Sequence, residues 1–178
     1  MYNYNVSEFA VYFRNIYFNK AFLIFHLFLL YFGKHNNKKA MKLILSTDYI
    51  DVYYREDLNI LYAEWSKKAK SMDREEFKKH IIDFVAYISE YSTKYGLLGF
   101  LTNSQKGHFT MDIDIQAWHD EVIAPQYLAY RIEKIGFVLP KEDFFAAISL
   151  QQTFEEAQAQ QLQTRFFSNL EDALAWMK

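Results

Sequence analysis

His108, Asp112, Asp114 and His119 are the nearest approach in this chain to a chemical cluster. Imidazole and carboxylate side chains ligate metals and move protons, so their spacing decides what they can do. With a helix beginning near Asp112, Asp112 and His119 stand seven residues apart and share roughly one face. Neither His-x3-His nor His-Glu-x-x-His occurs, and His108 lies in a loop of unconstrained geometry. Two ligands at a defined spacing do not build a metal site, so the four read as polar surface residues and no metal or cofactor is expected. Thr102, Asn103 and Ser104 close an apolar strand, at the end where α/β proteins form their ligand sites. No Gly-x-Ser-x-Gly elbow surrounds the serine, and NSQKG lacks the glycine spacing of a phosphate loop, so loop polarity accounts for them. Glu75-Glu76 and Glu155-Glu156 are adjacent pairs, whose side chains diverge by about 100° on a helix, so paired-carboxylate catalysis gains no support. His80 follows Lys78-Lys79 and reads as solvated; Lys67-Lys68-Ala69-Lys70 reads as a charged, soluble loop.

The elements that must position these residues follow from periodicity. KLILS (42–46), YIDVYYRE (49–56) and LNILYAEWS (58–66) are rich in Ile, Tyr, Leu and Val and predict three strands, the last two joined by a tight hairpin at Glu56-Asp57. Ile50, Val52 and Tyr54 fall on one face of the second, with Tyr49 and Tyr53 on the other. Asp73 and Glu76 spell a capping box, and Phe77, Ile81, Phe84, Val85, Ile88, Tyr91 and Tyr95 recur at helical spacing until Gly96 supplies a stop. LLGFLT reads as a central strand buried on both faces. After the polar loop NSQKGHFT, a helix from about Asp112 to Ala124 should bury Ile115, Trp118 and Val122, with a short second piece over Gln126 to Arg131 behind Pro125. KIGFVL is a strand, Glu142 to about Gln160 a helix, QTRFF the last strand, and Ser168 with Glu171 a capping box for the final helix. The order is βββαβαβαβα, an α/β domain over 41–178.

Charge and composition narrow the function classes. Residues 1–40 carry five Lys/Arg and one acid, Glu8, whereas residues 41–178 carry fifteen bases against twenty-one acids. Phosphate binding needs a basic surface, so the acidic body argues against a nucleic-acid partner. Without Cys there is no disulfide or thiolate chemistry, which suits a cytoplasmic setting. The run AFLIFHLFLLYF at 21–32 is twelve residues long, short of the roughly 20 that cross a bilayer, and no small-x-small cleavage site follows it. Phe, Tyr, Asn, Lys, Ile and Leu make up 28 of the first 40 residues, the mixture that A/T-rich codons encode. Residues 1–40 are therefore read as an extension ahead of a natural start at Met41, and a membrane role is not expected.

The chain also carries a family resemblance. TRFFSNLEDALAWMK, with Ala173, Trp176 and Met177, resembles the C-terminal end of SpoIIAA-like members of the STAS superfamily. FVLPKEDFFAAISLQQTFEE, MDREEFKKHIIDF and the Trp118 helix with Ile123 to Pro125 are similar to segments of bacterial STAS/SEC-fourteen-type domain proteins. The resemblance spans residues 41–178 and implies a mixed, mainly parallel sheet with about four helices, shared in outline with CRAL-TRIO-like lipid carriers. It also implies a switch serine at the helix after LLGFLT. Here that stretch is Thr110-Met111-Asp112-Ile113-Asp114, which has no serine, so a phosphoserine switch does not carry over. Asp112 or Asp114 would place a fixed negative charge at a helix N-terminus, or more simply serve as its N-cap.

Together these readings lead to a non-catalytic binding module. Its expected contact surface comprises Thr102, Asn103, Ser104, Thr110, Asp112, Asp114, Trp118 and His119, facing a protein partner or a second copy. The alternative is a carrier or sensor of a small apolar molecule, lined by some of the 14 Tyr and 17 Phe that otherwise read as core; an enzyme comes third.

Overall fold

The computed structural model describes residues 41–139, 144–155 and 162–178. The expectations for residues 1–40, and for both ends of the helix expected over 142–160, lie outside the described residues. Three strands come first: β1 (Met41–Ser46), β2 (Ile50–Arg55) and β3 (Ile60–Trp65). In β2 the period-two pattern is explicit, with Ile50, Val52 and Tyr54 buried and Asp51, Tyr53 and Arg55 half-buried between them. The β2–β3 turn ends at Asn59, whose φ of 51° is left-handed. Tyr54 Oη donates to Asn59 Oδ1 at 3.0 Å, and Asn59 Nδ2 donates to the Gly96 carbonyl at 2.8 Å. The hairpin is thus tied to the far end of the helix that follows.

That helix, α1 (Arg74–Tyr95), comes after a 3-10 turn at Lys67–Ser71 that buries Ala69. Glu76 N donates to Asp73 Oδ1 at 2.8 Å, and Asp73 N donates to Glu76 Oε2 at 3.2 Å, so both arms of the capping box form. Such a cap is worth about 1 kcal/mol. Gly96 stops the helix at φ 64°, a conformation a Cβ disfavours. Phe77, Phe84, Val85, Ile88 and Tyr91 are buried, each contributing roughly 1.5–3 kcal/mol of apolar transfer as an upper bound. His80 departs from expectation: it is buried, its ring edge-on to Tyr49 at 5.4 Å, because the hydroxyl of Tyr49 reaches Glu76 and draws that ring across the helix.

Next come β4 (Gly99–Asn103), α2 (Ile113–Trp118), α3 (Ala124–Ala129), β5 (Lys134–Val138), α4 (Phe144–Glu155), β6 (Gln163–Phe167) and α5 (Leu170–Met177). The six strands lie in sequence order across one sheet; β1, β2 and β3 pair antiparallel, and β3 to β6 pair parallel. Phe100, Ile135 and Phe137 point to the face covered by α1, the α2–α3 segment and α4. Leu101 and Val138 point to the other, where Ala173 and Met177 of α5 pack. The C-terminal helix begins one residue later than expected: Asn169, not Ser168, is the N-cap, its Oδ1 accepting from Asp172 N at 2.9 Å.

The expected buried edge Ile115, Trp118, Val122 is corrected in a way that shapes the site. Val122 is exposed and Trp118 half-buried, while Ile115, His119, Ile123 and Tyr127 are buried. Four residues turn an α-helix by about 400°, so a step of four drifts off one face. Between α2 and α3 the chain makes a π turn, His119–Ile123, in which Ala124 N donates to the His119 carbonyl. The wider turn takes up the drift and keeps all four residues inward. Pro125, with no N–H and a ring that crowds the preceding turn, gives the physical reason. Gln126 Nε2 donates to the Val122 carbonyl at 3.0 Å, occupying an acceptor in the widened turn. The second helical piece therefore starts at Ala124 and runs on without a break.

Candidate functional site

β4 is a central strand, and alternation along it sorts the candidate residues by face. Thr102 follows Phe100 toward α1 and α4, whereas Asn103 follows Leu101 toward α5, where its Nδ2 donates to the buried Tyr62 hydroxyl at 3.1 Å. Ser104 N donates to the Val138 carbonyl at 2.9 Å, extending the sheet one residue and holding Ser104 inside. Thr102, Asn103, Ser104 and His119 are all buried, so they are unavailable to a protein partner. Sheet depth and the π turn put them there. Thr110, Asp112, Asp114 and Trp118 remain exposed or half-exposed.

The two aspartates are accounted for structurally. Asp112 is the N-cap of α2, accepting from Ile115 N at 3.1 Å, and it also pairs with Arg74. Asp114 pairs with the same guanidinium at 3.2 Å. These contacts link the N-termini of α1 and α2, but all three side chains are well exposed, so each pair is worth about 0–1 kcal/mol. Trp118 lies under the ammonium of Lys78, 5.6 Å from the ring centre.

Of the buried residues, Thr102, Ser104 and His119, but not Asn103, line a cavity of about 60 Å³ between the sheet and α1, the α2–α3 segment and α4. Its walls are largely aromatic: Trp65, Phe77, Phe84, Phe100, Phe137 and Phe154. Its polar points are Thr102, Ser104, His108, His119 and Tyr127. Among the described lining residues there is no Asp, Glu, Lys or Arg. The β4–α2 loop closes one side, carrying Phe109, which stacks on Phe77 at 4.3 Å. Gly107 makes that closure possible, because a Cβ there would lie 1.8 Å from the Ser66 carbonyl oxygen. Gln105 N donates to Asn103 Oδ1, and Lys106 pairs with Glu64 at 2.8 Å, so the loop is pinned from outside as well.

His119 is strongly perturbed by its surroundings in the site. Its ring lies 5.0 Å from Phe154 and 5.8 Å from Tyr127, and its Nδ1 is buried with no hydrogen-bond partner. Burial in this apolar setting disfavours the charged imidazolium and pushes the pKa down to about 4, so the ring is neutral at pH 7. The same burial raises the Tyr127 phenol, which keeps its proton. The arrangement offers neutral hydrogen-bonding groups in a ring of aromatic surface. Apart from the expectation that Tyr and Phe could line an apolar cavity, nothing in the sequence singles out Phe154, Phe109 or Trp65; their meeting depends on the sheet register.

No group of three or more His, Asp or Glu residues among the described residues is placed to hold a metal, and His108 and His119 belong to the cavity wall. Among the described residues no helix is long and apolar enough to cross a membrane. The chain matches no family model, no curated protein and no solved structure. What fold and site define is an α/β domain with a six-stranded mixed sheet and an aromatic cavity at the C-terminal end of its central strand.

Proposed function

We propose that the domain is a non-catalytic binding module, STAS-like in kind, that holds a small and mainly apolar molecule between its sheet and helices. One observation supports this above the rest: polar side chains of Thr102, Ser104 and His119 are turned away from solvent and line an aromatic cavity at the strand end where α/β proteins take up ligands. The His119 Nδ1 is buried with no partner, and such a group costs roughly 1–3 kcal/mol, so a bound molecule that engages it is favoured over a purely apolar one. Native mass spectrometry of the full chain is the direct test. Retention of a small organic mass, lost in Ala63→Leu, which narrows the cavity, is the expected result. A chain that carries no such mass under gentle ionisation, and takes up none on exposure to small apolar compounds, overturns the reading.

A protein-partner reading rests on a different feature. Ile113 is 82% exposed at the start of α2, flanked by Asp112 and Asp114. A pull-down with wild type and Asp114→Lys tests it, and identical partner profiles would remove this face from consideration.

A further inference from the structure

Resting on the ligand-binding reading above, we infer that the cavity selects an uncharged compact molecule carrying a hydroxyl group, with the His119 imidazole as its polar contact. Three observations converge on that class. The first is charge. No carboxylate, ammonium or guanidinium lines the cavity among the described residues, so an ionic ligand would be buried without a counter-charge, at a cost of several kcal/mol. The second is the imidazole. Held between Phe154 and Tyr127, the His119 ring is fixed by its neighbours, and its Nδ1 has no partner. A neutral imidazole offers one donor and one acceptor, and a hydroxyl, which both donates and accepts, satisfies either tautomer. Thr102 and Ser104 add hydroxyls of the same dual character on the sheet side. The third is size. At about 10–15 Å³ per water-sized volume, 60 Å³ holds roughly four to six non-hydrogen atoms. A small cyclic or branched alcohol fits, and a long acyl chain does not.

Burial also keeps His119 uncharged at neutral pH, so its ring does not attract an anion here.

The test uses three probes and the full-length chain at pH 7: cyclopentanol, cyclopentane and butanoate, titrated while the NMR signals of the Trp65 indole N–H and the Thr102 and Ser104 amides are followed. Cyclopentanol is expected to bind about three- to tenfold more tightly than cyclopentane, the equivalent of one net hydrogen bond. Butanoate should leave the signals unmoved. In His119→Leu the preference for the alcohol should vanish while cyclopentane still binds; Thr102→Val, which keeps its shape, reports on the sheet side and should reduce the preference only in part. Equal affinities for alcohol and hydrocarbon in the wild type, or butanoate binding as tightly as the alcohol, overturn the selectivity and leave the binding reading intact. If none of the three probes moves the cavity signals, the binding reading itself fails. Should His119→Leu not fold, the wild-type comparison of alcohol, hydrocarbon and anion decides alone.

Discussion

Lowering the pH from 7 to 4.5 perturbs His119 without changing an atom of the sequence. In the folded domain burial holds its pKa to about 4, against about 6.5 when the chain is unfolded. Between those values the unfolded state binds the extra proton and the native state does not, so stability falls as pH falls. The contribution is complete above pH 6.5 and lost through the window down to pH 4. Its full size is about 3 kcal/mol, of which about 2 kcal/mol is gone by pH 4.5. His80, also lowered by burial, acts in the same direction, and carboxylates such as Asp57, lowered first by its hydrogen bond from Arg55, add losses at the acid end. A comparison with His119→Leu cancels those shared contributions. Urea unfolding of both chains at pH 7 and 4.5 is the assay. With a slope of about 2 kcal/mol per M, the wild-type midpoint should drop by about 1 M more than that of the variant. At pH 7 the variant should be at least as stable as the wild type, since it removes an unpaired buried nitrogen. Equal pH dependence in the two chains, or a His119 titration by NMR near 6.5, would refute the reasoning.

Gly107→Ala forces a methyl group against the Ser66 carbonyl and should destabilise the domain by about 3 kcal/mol or more, with the Phe109 signals displaced in NMR spectra. Gly96→Ala keeps ample space around its new methyl group but must adopt a left-handed backbone, so the expected loss is only about 1–2 kcal/mol in thermal or urea unfolding. Tyr62→Phe strips the Asn103 amide of a buried partner and should cost about 1–2 kcal/mol, with Tyr62→Phe/Asn103→Leu recovering part of it.

Much of the scaffold is legible from neighbours in sequence. The capping box at Asp73 and Glu76 and the stop at Gly96 involve residues at most a few positions apart, and the stripe of α1 follows a single period. The short strand QTRFF is bounded as the sequence predicts. Where a distant partner decides, the sequence misleads. Ser104 and His119 are polar and flank a loop, and polarity there normally means solvent; only the depth of β4 in the sheet and the extra width of the turn before Pro125 bring them inside. Val122 is lost from the core for the same reason. His80 reads as surface because its sequence neighbours are lysines, whereas its spatial neighbour is Tyr49, from another element.

The sequential strand order has a consequence for how this chain acquires its shape. Ile60 pairs with Gly99, Gly99 with Lys134 and Lys134 with Gln163, so a single row crosses the parallel half of the sheet, and among the described residues no ladder joins residues more than about 40 positions apart. Because synthesis runs N-terminus first, each described strand after β1 has one sheet neighbour already synthesised when it appears, and no position between two described strands has to be kept open for a later arrival. The topology therefore asks of each new strand only that it add to the open edge beside its predecessor.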